Sequence, residues 1–117
     1  MIGYKAVIFN DNGSWAWCIA QLEIPEDAII AHSGNGFYRT DKCKVIRLSP
    51  SLYKLAFNHI RAWSWFDPKV EYAVGETVMS EIDTNPHTDC AKGIHFVGTY
   101  EQAVGFGRAN FGLSAQR

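Results

Sequence analysis

Hydrophobic and polar positions change period several times along this chain, and each change marks an element. Tyr4 to Phe9 is an apolar, β-branched run that predicts a first strand. Asn10-Asp11-Asn12-Gly13 follows, a cluster of residue types that tolerate positive φ and predict a tight turn. Ser14 to Ile24 predicts a second strand, with Trp15, Trp17 and Ile19 on one face and Ala16, Cys18, Ala20, Leu22 and Ile24 on the other. Neither face is polar before Gln21 and Glu23. This strand should therefore be central in a sheet, or have its Trp-x-Trp face covered by another subunit. Together the two segments predict a hairpin.

The remaining chain alternates between loops and short ordered runs. Pro25-Glu26-Asp27-Ala28 stops the second strand and suits a short helical turn. His32-Ser33-Gly34-Asn35-Gly36 predicts a loop, and Arg39-Thr40-Asp41-Lys42 is a compact polar cluster. Cys43 to Leu48 alternates and predicts a third strand. Ser51 to Ile60 has helical spacing, with Ser49 as N-cap and Pro50 as first helical residue. Arg61 to Phe66 and Val70 to Val78 predict further strands, the latter bent at Gly75. A polar loop over Asp83 to Asp89 leads to Cys90-Ala91-Lys92-Gly93-Ile94-His95-Phe96-Val97-Gly98-Thr99-Tyr100-Glu101-Gln102-Ala103. That stretch reads as a turn, a buried strand and a helix start, with Thr99 and Gln102 as a capping box. Tyr100, Ala103, Val104 and Phe106 supply the helix's apolar positions, and a glycine-punctuated segment follows. The expectation is a single domain over residues 1–117, of α+β class. It consists of a small, mostly antiparallel sheet of five or six strands with one or two short helices.

Composition narrows the class. With 117 residues, 47% apolar and 14% aromatic, the chain can bury an ordinary core. A net charge of −1 without basic runs gives no footprint for a nucleic acid polymer or a membrane surface. Three cysteines without a C-x-x-C spacing argue against a disulfide framework and for a reducing compartment. The first residues have no signal-peptide pattern and no run approaches a membrane span, so a cytoplasmic protein is expected. Four tryptophans are many for 117 residues; they suit a core or a subunit interface ahead of a stacking surface for a flat ligand, and a homo-oligomer through the Trp-rich strands is expected.

Two resemblances bear on identity. The runs Gln21 to Ala28, Asp41 to Val45, Tyr72 to Val78 and Cys90 to Phe96, with the Glu-Gln-Ala helix, resemble an uncharacterised domain family of phage and bacterial proteins that sometimes lies beside pentapeptide repeats. The likeness spans roughly residues 4 to 106, its most specific feature being Cys-x-x-Gly-Ile-His-Phe, and it implies a phage or bacterial setting with no established activity. Over about fifteen residues, Gly93-Ile94-His95-Phe96 with Thr99-x-x-x-Ala103-x-x-Phe106 is also similar to the strand and capped helix that line the nicotinamide pocket in the ADP-ribosyltransferase fold. Transferases of that kind need a late carboxylate, and no Asp or Glu follows Glu101. Binding of an ADP-ribose-like molecule, rather than catalysis, is what that resemblance implies.

The candidate chemistry is correspondingly that of binding. His95 can bond a ligand, act as a general base or bond a backbone carbonyl, the structural role being the default for a lone histidine. His87, Asp89, Cys90 and His95 are close in sequence but match no zinc spacing, so no metal is expected. A Cys90–His95 nucleophile pair is outweighed by Cys90 as a small buried hydrophobe. Among the basic residues Arg39, beside Phe37 and Tyr38, and Arg108, near Asn110 and Phe111, combine an anion-binding fork with aromatic neighbours. The expected ligand residues are therefore His95, Arg39, Arg108, Asn110, Tyr38 and Phe96, with no catalytic set and no cofactor. The expected partner is a nucleotide-like small molecule, such as an ADP-ribose-type or cyclic-nucleotide defence signal, held without turnover. The alternatives are an ADP-ribosyltransferase-like enzyme using His95 with Glu76, Glu81 or Glu101, and a module that inhibits a host protein through Trp15 and Trp17.

Overall fold

A computed structural model describes residues 1–34, 36–50, 60–64, 69–84 and 92–111. The expected first hairpin is its centre. Strands β1 (Ile2–Asp11) and β2 (Ser14–Glu23) pair antiparallel over their whole lengths, from Ile2 opposite Glu23 to Asp11 opposite Ser14. Asn12 at φ 52° and Gly13 at φ 93° close them, the pair of positive φ values that gives a two-residue turn the twist of its strands. Asn10 Oδ1 accepts the Gly13 N–H at 2.8 Å.

Around this hairpin the sheet grows to nine strands among the described residues. β3 (Ile30–Gly34), β4 (Phe37–Thr40), β5 (Lys42–Pro50), β6 (Arg61–Trp63), β7 (Glu71–Ala73), β8 (Thr77–Met79) and β9 (Ile94–Val97) join it in the order β3-β4-β9-β1-β2-β5-β8, while β6 pairs with β1 and β7. Every pairing is antiparallel, and the sheet curls into a half-barrel. The class is α+β, as expected, but the count of five or six strands is corrected to nine. The segment expected to be a loop around His32 is a hairpin, with Gly36 at φ 80° and Gly34 opposite Phe37. Its polar composition is compatible with β3 because that strand is an edge. The single strand expected over Val70 to Val78 is two, because Gly75 at φ 87° and the Glu76 N–H to Ala73 carbonyl bond turn the chain between them. The helical spacing over residues 51–59 lies outside the described residues.

The one helix among the described residues, α1 (Tyr100–Phe111), starts where the capping box places it. Gln102 N–H donates to Thr99 Oγ1 at 3.1 Å, and the two side chains meet at 3.1 Å. It runs on through Gly105 and Gly107, past the expected end. Its buried face, Ala103 and Gly107, lies on the Trp17 face of the hairpin. Trp17 is 2% exposed and packs against Phe111. The helix of the same chain thus covers this half of the Trp-x-Trp face, whereas Trp15 is 58% exposed, edge-on to Trp63. Val7, Ala20, Leu22, Val45, Leu48, Tyr72 and Phe96 fill the opposite, larger core. No helix among the described residues is long and apolar enough to cross a membrane.

Two glycines of α1 separate helix propensity from docking. A Cβ on Gly107 would lie 2.3 Å from Trp17 Cζ3, whereas a Cβ on Gly105 meets nothing within 4 Å. Alanine gains up to ~1 kcal/mol of helix propensity at either position. Against a rigid indole the overpacking cost of ~1–3 kcal/mol outweighs it. Gly105→Ala should raise the urea midpoint and Gly107→Ala should lower it.

Candidate functional site

Four of the six expected ligand residues come together in the β4–β9 ladder. Tyr38 stands opposite Phe96 and Arg39 opposite His95, on adjacent rungs. The Tyr38 and Phe96 rings stack at 5.3 Å and 20°, and His32, opposite Tyr38 on β3, adds a third ring at 4.6 Å. These contacts are largely internal. Phe96 is 2% exposed and lies over Gly3, whose missing Cβ would be 2.4 Å from its ring. Arg39 is 1% exposed, and its Nε and Nη2 donate to the Asp83 carbonyl at 3.1 and 2.8 Å. With Ser80 N–H on the Asp41 carbonyl and Asp83 N–H on the Lys92 carbonyl, Arg39 fastens the chain leaving β8. Gly93, at φ 136°, lets that segment close over it, since a Cβ there would sit 3.1 Å from Arg39 Cβ.

His95 is half-buried among bases. Burial first, then the charges of Lys5 and Arg39, push its imidazole down from 6.5 to about 4, opposed by hydrogen bonding with the Gly93 backbone. Lys5 Nζ donates to the His95 carbonyl at 2.9 Å, and its own burial lowers it to about 8. Burial also raises the Cys18 and Cys43 thiols to about 12, the wrong direction for a nucleophile. Cys90 and His87 lie outside the described residues, and no group of three metal-ligating side chains converges among the described ones.

Arg108 and Asn110 are placed elsewhere. Both are exposed on the last turn of α1, and Asn110 Nδ2 donates to the Phe106 carbonyl at 2.8 Å. Arg108 stands eight residues from Tyr100, about 12 Å along a helix axis.

A cleft of about 170 Å³ opens instead on the helix face, lined by Tyr4, Ile19, Gln21, Arg47, Ser49 and Tyr100. One irregularity aims two of these. Gln21 pairs with Arg47 and Leu22 with Val45, so Ile46 has no partner and bulges out at 37% exposed. In an unbroken strand Arg47 would share the core face of Cys43 and Val45. The extra residue inverts the alternation, so Leu48 enters that core while Arg47 and Ser49 face α1. Tyr4 and Tyr100, edge to face at 6.1 Å, wall the other side. Ser49 is buried, at 4% exposed. Among the described residues the cleft offers one guanidinium, one hydroxyl, one amide and two phenols, and no carboxylate. In the sequence Arg47 is one of eleven Lys and Arg residues, and unlike Arg39 and Arg108 it has no aromatic neighbour to single it out. The available signal was Val45-Ile46, two adjacent apolar residues in an otherwise alternating strand.

Comparison with known proteins adds the family. The model of a family of unknown function, DUF5758, matches residues 1–103. The chain belongs to this family. It is also 33% identical over 97 residues to the uncharacterised protein L223 of Acanthamoeba polyphaga mimivirus, an alignment covering 75% of this chain and 61% of that protein. The chain thus spans less than two thirds of that relative. No solved structure matches.

The His95 environment carries a pH signature. The unfolded chain takes up a proton near pH 6.5 and the folded one only near 4, so stability is full above 6.5 and falls as pH drops from there to 4. The loss should be on the order of 1–3 kcal/mol. The His95 ring resonances should titrate near pH 4, and His95→Gln should flatten the urea-midpoint profile between pH 6.5 and 4.

Proposed function

We infer that this domain is a binding module that holds a nucleotide-like small molecule, its anionic group seated in the Tyr4–Gln21–Arg47–Ser49–Tyr100 cleft, without turnover. The observation that carries this is the bulge at Ile46, which turns a guanidinium and a buried hydroxyl out of the core and onto the helix face beside two phenols. Arginine matches a phosphate or carboxylate with two parallel hydrogen bonds, and tyrosines supply the apolar flanks such ligands need. Among the described residues the lining supplies groups that bind, and the carboxylate that transfer from NAD needs at the reacting sugar carbon is not one of them. The Arg39–His95 and Tyr38–Phe96 rungs serve the site indirectly. They hold β4 on β9, the strand that delivers the chain into α1 and so sets Tyr100 against Tyr4.

Gentle purification followed by heat release and mass spectrometry tests this. A phosphate-bearing small molecule should accompany the wild-type protein and be lost, at least tenfold, from Arg47→Gln. Arg108→Gln should retain it. Retention by Arg47→Gln, or its loss with Arg108→Gln alone, would overturn the assignment.

A further inference from the structure

We propose that Asn12 is a site of covalent modification by water, its conversion to aspartate or isoaspartate gated by the Asn10 side chain. The linkage is Asn12-Gly13, the central pair of the β1–β2 turn. Glycine in second place opens this chemistry, because with no Cβ its backbone nitrogen can approach the side chain before it. The Gly13 nitrogen loses its proton and attacks Asn12 Cγ. The new N–Cγ bond closes a succinimide ring, the bond from Cγ to the side-chain nitrogen breaks, and ammonia leaves. Water then opens the ring at one of its two carbonyls. One opening gives aspartate, the other isoaspartate, in which the main chain runs through Cβ.

Exposure is the first ground. Residues 10–14 are all exposed, and nothing lies within 4 Å of where a Gly13 Cβ would stand. Water and hydroxide reach the linkage freely.

The second ground is how the turn is held. Asn12 at φ 52° and Gly13 at φ 93° have the signs of a type I′ turn. The peptide between them has to rotate before the Gly13 nitrogen faces Cγ. Asn10 Oδ1 opposes both early steps. By accepting the Gly13 N–H at 2.8 Å it fixes that peptide and shields the proton that hydroxide must remove. Modification therefore requires the turn to open, and Asn10 is a positioning residue that sets how often it does.

The two products differ in consequence. Each adds one negative charge to an exposed turn. Aspartate keeps the backbone and tolerates positive φ as asparagine does, so the hairpin accommodates it. Isoaspartate adds a carbon to the main chain of a two-residue turn whose twist must match its strands, and so loosens the hairpin at the centre of the sheet.

Incubation of the full chain at mildly alkaline pH, with peptide mapping by mass spectrometry, tests this. Mapping separates Asn12 from Asn35, which also precedes a glycine. Asn12 should convert in the folded chain, at least tenfold more slowly than in urea. Asn10→Ala should speed conversion and Gly13 amide hydrogen exchange together, each at least threefold, within what one net hydrogen bond supports. Asn10→Asp, which keeps an acceptor, should stay near wild type. Folded and unfolded chains converting equally fast, or Asn10→Ala folded yet unchanged in both rates, would overturn the gate. So would a wild-type Gly13 amide exchanging as fast as an unbonded one, a reading that needs no variant. Asn12 left intact in every folded chain would overturn the site itself.

Discussion

The seating of Trp17 against Gly107 is the constraint on which the rest of the helix face depends. An indole 2% exposed on the central strand needs a cover, and the absence of a side chain at Gly107 lets α1 approach closely enough to supply it. Ala6, Ile19, Val97 and Ala103 complete that core, with partly buried aromatics, Ile8 and Val104 packed around it. Fixing the helix at this contact also fixes its first turn. Tyr100 therefore meets Tyr4 two turns away, and one wall of the cleft follows from packing alone.

The other wall comes from register. Strand alternation sends every second side chain to one face, so one inserted residue exchanges the two sets. The bulge at Ile46 does this within β5. Cys43 and Val45 precede it and Leu48 follows it in the same core, while Arg47 and Ser49 lie on the opposite face, toward α1. Without the bulge a guanidinium would be directed into an apolar core, at a desolvation cost no partner there could offset. The same residue that keeps the core apolar thus brings charge to a concave surface.

Much of the fold was legible in the sequence. The Asn12-Gly13 turn, the β2 alternation, the strand Ile94–Val97 and the Thr99 capping box are local signals, and each lies where local chemistry puts it. The edge strands were not legible: β3 carries His32, Ser33 and Gly34, whose composition resembles a loop because pairing, rather than propensity, makes them a strand. Arg39 and Arg108 drew attention through aromatic neighbours in sequence. In space Arg39 is bonded to the Asp83 carbonyl and Arg108 is exposed at the far end of the helix. Sequence adjacency could not separate an arginine that fastens a chain segment from one that faces a cleft. That distinction depends on register, which two consecutive apolar residues only hinted at.

The most direct measurement is a map of backbone amide shifts in an ¹⁵N-labelled chain titrated with AMP. Ligand contact at the bulge-built cleft predicts that the largest shifts fall on Ile19, Gln21, Arg47, Ser49 and Tyr100, with Tyr38, His95 and Arg108 nearly unmoved. Shifts centred on Tyr38, Arg39 and His95, or none at saturating AMP, would contradict it.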